Sequence, residues 1–143
     1  MAMQTFTHSV GEGDHIVDAV AVVTDNGTSI TIGTREHSHF GAVAIAVPRG
    51  PHNDGTPAEA SVSVYTNTGH MDDIPAHELA GRVGTAIWEG TTVFVGLHMD
   101  HATVDDIVKM MDNARACCDL IIEDVRGVRG QRNSLRSALM SHL

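Results

Sequence analysis

The sequence is poor in aromatic residues: Phe, Trp and Tyr supply 3% of its 143 residues. A core with few rings must be filled by Val, Ile, Leu, Ala and Met, and a flat ligand meets few side chains on which to stack. Cysteine is nearly absent. Cys117 and Cys118 are neighbours, and two adjacent thiols alone build neither a disulfide framework nor a tetrahedral zinc site. Apolar filling within a helix is the expected role of the pair, in a reducing compartment. No apolar run is long enough to span a bilayer, and the first residues lack the regions of a secretory signal, so the cytoplasm is the expected location. Basic residues are scarce over most of the chain. Up to Asp124 there are 18 acids against 5 bases, a balance that repels phosphate backbones and argues against a nucleic-acid partner. From Arg126 onward there are 4 arginines and no acid, a basic tail suited to an acidic partner or to the body itself. General catalytic signatures are missing too. There is no P-loop, no Gly-x-Gly-x-x-Gly, no nucleophile elbow and no His-Glu-x-x-His.

What is present is a set of short, Val-rich strands followed by two helical patterns. Thr5–Val10 and Ile16–Thr24 read as strands. Asp25-Asn26-Gly27-Thr28 is a hairpin signal, and Ser29–Ile32 alternates polar and apolar as a half-buried strand does. Gly41–Val47 is a continuous apolar run, expected to be covered on both faces. A breaker-rich loop from Pro48 to Glu59 precedes the alternating strand Ala60–Tyr65. A helix is expected from Asp72-Asp73, with Pro75 in its first turn, a stripe of Leu79, Val83 and Ile87, and a stop at Gly90. Thr91–Leu97 is the next buried strand. Thr103-Val104-Asp105-Asp106 is a variant capping box opening a second helix, whose stripe is expected at Val104, Ile107, Val108 and Met111, then Ala114 or Arg115. That helix is expected to run to about Val125 and to break at Gly127 and Gly130, with a last short helix in Ser134–Leu143. The expectation is one α/β domain (an α+β sandwich) over residues 1–125, a mixed sheet of five to six strands carrying two main helices, followed by a basic tail over 126–143. Two helices cannot shield that many strands, so one apolar face is left for a partner, most simply in a homodimer.

Three polar loops adjoin the buried strands: His37-Ser38-His39-Phe40-Gly41, Thr68-Gly69-His70-Met71-Asp72-Asp73 and Gly96-Leu97-His98-Met99-Asp100-His101. Glycines beside polar residues at strand ends let backbone N–H groups approach a ligand closely. Each loop alone also reads as an ordinary surface turn. With ten histidines in the chain, a metal-dependent enzyme using His37, His39, His98 and His101 is an alternative, with Asp100 as an oxygen ligand. A cofactor-free assembly scaffold is another. Metal is the less favoured option, because the spacing matches no metalloenzyme signature.

The runs His39-Phe-Gly-Ala-Val-Ala-Ile-Ala-Val-Pro-Arg49, Ala60-Ser-Val-Ser-Val64 with Gly69-His-Met-Asp-Asp73, and Val93-Phe-Val-Gly-Leu-His-Met-Asp100 resemble the LpdD-like prenylated-flavin chaperones. These are the small D subunits that accompany UbiD-type hydroxyarylic acid decarboxylases. The resemblance covers about residues 14–125. It implies a fold similar to the proteasome assembly chaperones, a homodimer, and a non-catalytic accessory role. It implies binding of prenylated FMN, or FMN, for delivery to or maturation of a decarboxylase, with that enzyme and a flavin prenyltransferase as partners. By motif, the implied cofactor contacts are His39, Gly41, Arg49, Gly69, His70, Gly96, His98 and Asp100. The chain departs from the family in the longer, more polar loop Gly50–Asp54. It also has Met71 where a lysine commonly follows Gly-His, which removes one cation that would meet the phosphate. Arg49 is then the expected phosphate ligand, with Phe40, Tyr65 and Trp88 as the rings available for stacking.

Overall fold

In the computed structural model the described residues run from Met1 to Ser141, excepting Pro57, Thr68 and His70, and excepting the side chains of residues 132–134 and 136. Six strands form one mixed sheet: β1 (Gln4–Val10), β2 (Val17–Val23), β3 (Thr28–Thr34), β4 (Ala42–Val47), β5 (Ser61–Thr66) and β6 (Thr91–Gly96). A short 3-10 turn, Gly13–His15, lies between β1 and β2, and two α-helices complete the fold, α1 (Asp73–Ile87) and α2 (Val104–Met140). The spatial order is β1-β2-β3-β6-β4-β5. Only β3 and β6 are parallel neighbours; every other pair is antiparallel.

The alternation in β2 sets the layers. Val17, Ala19, Ala21 and Val23 are fully buried, together with Ile30 and Ile32 of β3, Val93 and Val95 of β6, and Ala42, Ala44 and Ala46 of β4. All of them belong to one cluster with Leu79 and Val83 of α1 and Cys117, Ile121 and Val125 of α2. Both helices therefore cover the same face. The alanines of β4 are what allow α1 to approach: a Cβ on Gly84 would stand 2.7 Å from that of Ala46. Cys117 and Cys118 fill the core as the sequence suggests, and burial pushes their thiols up to about 11 and about 12 respectively.

Four local expectations need correction. β4 is covered on one face only, since no element among the described residues lies on the other; Ile45 and Val47 stand 49% and 54% exposed. α1 ends before Gly90, where Trp88 takes a left-handed conformation (φ 54) and its N–H reaches Gly84 O. The buried stripe of α2 is Met110, Ala114, Cys117, Cys118, Ile121, Ile122, Val125 and Val128, while Val104, Ile107 and Val108 are at least half exposed. The helix also runs through Gly127 and Gly130 without a break. Val128 is buried there, and Arg129 forms a two-pronged ion pair with Glu89, whose carboxylate also accepts the N–H of Gly27 in the β2–β3 hairpin. Packing and a partly buried ion pair outweigh the roughly 1 kcal/mol that each glycine costs a helix. The capping box at Thr103 and Asp106 is formed as expected.

Candidate functional site

Strand direction decides which loops meet. β3 and β6 run parallel and finish side by side at Gly33–Thr34 and Gly96, and antiparallel β4 begins there at Ala42. β5 finishes at the same end, opposite Ala42, so α1 also starts there. The segments 35–41 and 97–103 are thus gathered at one end of the sheet with Asn67, Asp72 and the N-termini of both helices.

Three glycines allow this end to close. Gly41 and Gly96 are buried, and a Cβ on Gly41 would overlap the carboxylate of Asp72. A Cβ on Gly96 would overlap the carbonyl of His39, and one on Gly33 would crowd Gly96 O at 2.8 Å. Here glycine is needed for close approach of backbone and carboxylate. Asp72, 4% exposed, holds the two segments together. Its side chain makes no bond to its own helix; Oδ1 accepts the Leu97 N–H at 3.1 Å and Oδ2 meets His39 Nε2 at 3.1 Å. The Thr34 hydroxyl links β3 to the last segment, donating to His98 O and accepting the His98 N–H, both at 2.9 Å.

Among the described residues, three imidazoles sit on this framework. The ring of His98 lies 5.5 Å from that of His37 and 6.0 Å from that of His39, both edge-on. His98 Nε2 bonds Asp100 Oδ1 at 2.8 Å, and this contact lowers the Asp100 carboxyl below its ordinary range. Two hollows open beside the rings. One, about 310 Å³, is lined by Asp14, Glu36, His37, His98, Met99 and Asp100. The other, about 400 Å³, is lined by Glu36, His37, Ser38, His39 and His98.

Next to them lies a groove of about 520 Å³ on the uncovered face of the sheet. Gly33 and Thr31 lie along β3, Val20 and Asp18 along β2, and Phe40 and Phe94 form an aromatic wall with ring centroids 6.1 Å apart. His39 and Ser38 line both this groove and an imidazole-lined hollow. Asp18 is ion-paired with Arg35, which lowers the Asp18 carboxyl.

Of the residues singled out in the sequence, His39, Gly41, Gly96, His98 and Asp100 are brought together. Gly69 lies in the β5–α1 segment with a positive φ of 82, and His70 lies outside the described residues. Arg49 is at the other end of β4, donating to Glu59 O. The length of the strand, on the order of 20 Å, separates it from the histidines. Among the rings, Phe40 is at the site, whereas Tyr65 points out from β5 and Trp88 caps the far end of α1. Asp72 and Phe94 were not singled out. A carboxylate just before a helix reads as a cap, and a Phe between valines reads as core. The metal alternative lacks a ligand set, for no three His, Cys, Asp or Glu side chains among the described residues are placed to hold an ion.

The model of the prenylated flavin chaperone LpdD-like domain matches residues 11–126, most of the chain, and ends at Arg126, where the basic tail begins. No curated protein matches. The matched span contains both helix starts, the three glycines, the imidazoles and the aromatic groove, and the chain belongs to the prenylated flavin chaperone LpdD-like family, with the non-catalytic, accessory role of a flavin chaperone.

Proposed function

We propose that this chain binds prenylated FMN, or FMN, at the end of the sheet where its histidines meet. The observation that carries the reading is the shared His39–Ser38 wall between an apolar, aromatic-lined groove and an imidazole-lined hollow. A flavin mononucleotide has a flat ring at one end and a dianionic phosphate at the other, and the two cavities offer matching chemistry in contact with each other. The groove volume of about 520 Å³ falls within the usual range of small-molecule pockets, about 300–1,000 Å³. Phe40 and Phe94 would lie against the ring. His39 and His98 would face the phosphate, with Gly41 and Gly96 shaping the wall behind them and Gly69 and Asp100 at the rim. When bound, the group supplies flavin chemistry to an enzyme; this chain only holds it and excludes water from it.

A carrier must give up its cargo, and the partners consistent with that role are a UbiD-type decarboxylase and a flavin prenyltransferase. Exposed apolar side chains stand on the first turn of each helix at the ligand end: Ile74 on α1 and Val104, Ile107 and Val108 on α2, with Met71 just before α1. They form the surface on which transfer would occur. The β4–β5 half of the uncovered sheet is free of charge and exposes Ile45, Val47 and Tyr65, which supports a homodimer through that half. Sheet order and one-sided helices are in keeping with a proteasome-assembly-chaperone-like fold, and the two reduced, buried cysteines with the cytoplasm. Among the described residues no helix is long and apolar enough to cross a membrane. The test is co-expression with a flavin prenyltransferase followed by an absorption spectrum of the purified protein. A flavin spectrum with one ligand per chain is expected. Colourless protein that also fails to bind added FMN would overturn the reading. Light scattering showing a 15.2 kDa species at high concentration would overturn the dimer.

A further inference from the structure

We propose that the flavin groove is shared between two copies of the chain, packed face to face along β4, so that Tyr65 of the partner subunit extends the groove's aromatic wall. The flavin half of this statement rests on the function proposed above; the packing of the two sheets does not.

The strand register puts the groove and the apolar patch of the sheet in one row. Val20 of β2 lies opposite Thr31 of β3, Thr31 opposite Phe94 of β6, Phe94 opposite Val43 of β4, and Val43 opposite Tyr65 of β5. Residues opposite each other share a face. Ala42, Ala44 and Ala46 take the helix side of β4, so this row lies on the uncovered side. Val20, Thr31 and Phe94 line the groove. Tyr65, the one tyrosine of the chain, stands 69% exposed on an edge strand. It lies two strands from Phe94, about 10 Å at about 4.8 Å per strand, and does not line the groove of its own chain. The groove has an aromatic wall in Phe40 and Phe94 and a floor in Val20, Thr31 and Gly33, and no element among the described residues lies over that floor.

Charge selects a second copy as what covers this face. At a formal net charge of -9 two copies repel each other over most of their surface. From β3 to β5 the strand residues on the uncovered side are Val, Ile, Phe, Tyr, Ser, Thr and Gly, and none is charged. Val43, Ile45 and Val47 make β4 the most apolar of these strands, which sets the two-fold axis along it. Face-packed sheets keep their strands within about 30° of each other. An axis along β4 exchanges the strands on either side of it and keeps position along them. β5 of one copy then lies over β6 of the other, and the partner's Tyr65 comes over Phe94, a pairing of rings that is favourable in itself. β2 stays in water with its Asp18–Arg35 ion pair, and the groove floor remains open to a flat ring. An axis across the strands would instead lay six strands on six, bury that ion pair at a cost and fill the groove.

The test uses the whole chain and begins with its oligomeric state. Native protein is expected to sediment as a dimer. Ile45→Glu should be a monomer with an unchanged circular dichroism spectrum, since Ile45 is exposed and lies outside the groove. Its affinity for FMN should fall on the order of tenfold, as for a lost aromatic contact, although no lining residue has changed. Tyr65→Ser should lose affinity to the same extent. The deciding arm does not need the monomer. Tyr65→Ser and Val20→Glu, the second with its own groove blocked, each bind FMN weakly alone. After subunit exchange, a mixed dimer has one complete site, an intact groove faced by Tyr65 of the partner subunit, so binding at native affinity should return in part. No recovery in a mixture that native mass spectrometry shows to contain mixed dimers would overturn the shared site. So would a native monomer, an Ile45→Glu protein that stays dimeric, or an Ile45→Glu monomer with native affinity. A native dimer that binds neither FMN nor prenylated FMN would overturn the functional reading and the sharing with it, while loss of the dimer in Ile45→Glu would still place the two copies on this face.

Discussion

The two ends of the central strand β6 are built on opposite plans. At its Thr91 end, Glu89 takes a two-pronged bond from Arg129 and the N–H of Gly27, and so ties α2, the end of α1 and the β2–β3 hairpin together with charge. At its Gly96 end, contact is made by the absence of side chains: Gly33, Gly41 and Gly96 let backbone and the Asp72 carboxylate come together, and the imidazoles line what remains. The first end pairs Arg129 with Glu89 internally, with Arg129 Nη1 and Thr28 Oγ1 buried and without a hydrogen-bond partner. The second presents the rings of His37, His39, His98, Phe40 and Phe94 and the side chain of Ser38 to open cavities. A small domain can thus place its rigidity at one end and its recognition at the other, joined by a strand of six residues.

The largest expected effect separates glycines of the two ends. Gly96→Ala should destabilise the protein by about 3 kcal/mol or more, because backbone of His39 has to move. Gly90→Ala, with nothing within 4 Å of its added Cβ, should stay within about 0.5 kcal/mol. Denaturant unfolding of both variants checks this, and equal losses would break the contrast. Arg129→Ala comes next. The side chains of Arg129 and its partner Glu89 are 13% and 18% exposed, and removing Arg129 should cost about 2 kcal/mol while leaving FMN affinity within about twofold. A large loss of affinity would mean that the far end is not merely structural. Phe94→Ala should do the reverse. Phe94 is 38% exposed, so stability should fall by less than about 1 kcal/mol, while flavin affinity falls about tenfold with the lost ring contact; isothermal titration and thermal melting measure the two.

The smallest effect is on acid stability. The Asp106 carboxyl is pushed down to about 2, chiefly by the Thr103 N–H and then by His15. Because its folded value lies below the ordinary 3.8 of an aspartate, its contribution is complete at neutral pH and is lost as the pH falls from about 4 to about 2. Asp106→Asn should be less stable at neutral pH and show a shallower acid limb by circular dichroism in that window. An unchanged limb would remove the capping box from the account.

The strands were legible because their signals are local. Alternation in Ser29–Ile32 and the Asn26-Gly27 turn belong to residues next to each other, and so does the Thr103 capping box. Burial on a second layer is not local. The Ala-Val-Ala-Ile-Ala-Val run of β4 reads the same whether one face or two are covered, and only the placement of both helices on one side decides it. Gly127 and Gly130 read as breakers until Val128 and the Arg129–Glu89 pair are seen to hold the helix down. In α2 the apolar residues of the first turns form a stripe of their own, which the true stripe beginning at Met110 does not continue. At the site, the glycine-histidine segments were visible, but their convergence depends on strand polarity. That polarity brings His39, Gly96 and His98 together and carries Arg49 away. Asp72 was hidden because its position before a helix has an ordinary local explanation that the fold does not use.

The most direct test of the central claim, that the glycine-closed end is the flavin site, is a ¹H–¹⁵N correlation spectrum of the labelled protein titrated with FMN and then prenylated FMN. Amide shifts should be largest at Gly33, Ser38 to Gly41 and Phe94 to His98, with the Gly27, Glu89 and Arg129 amides at the other end unmoved. Shifts centred on Arg49 and Glu59, or no shifts at saturating ligand, would contradict it.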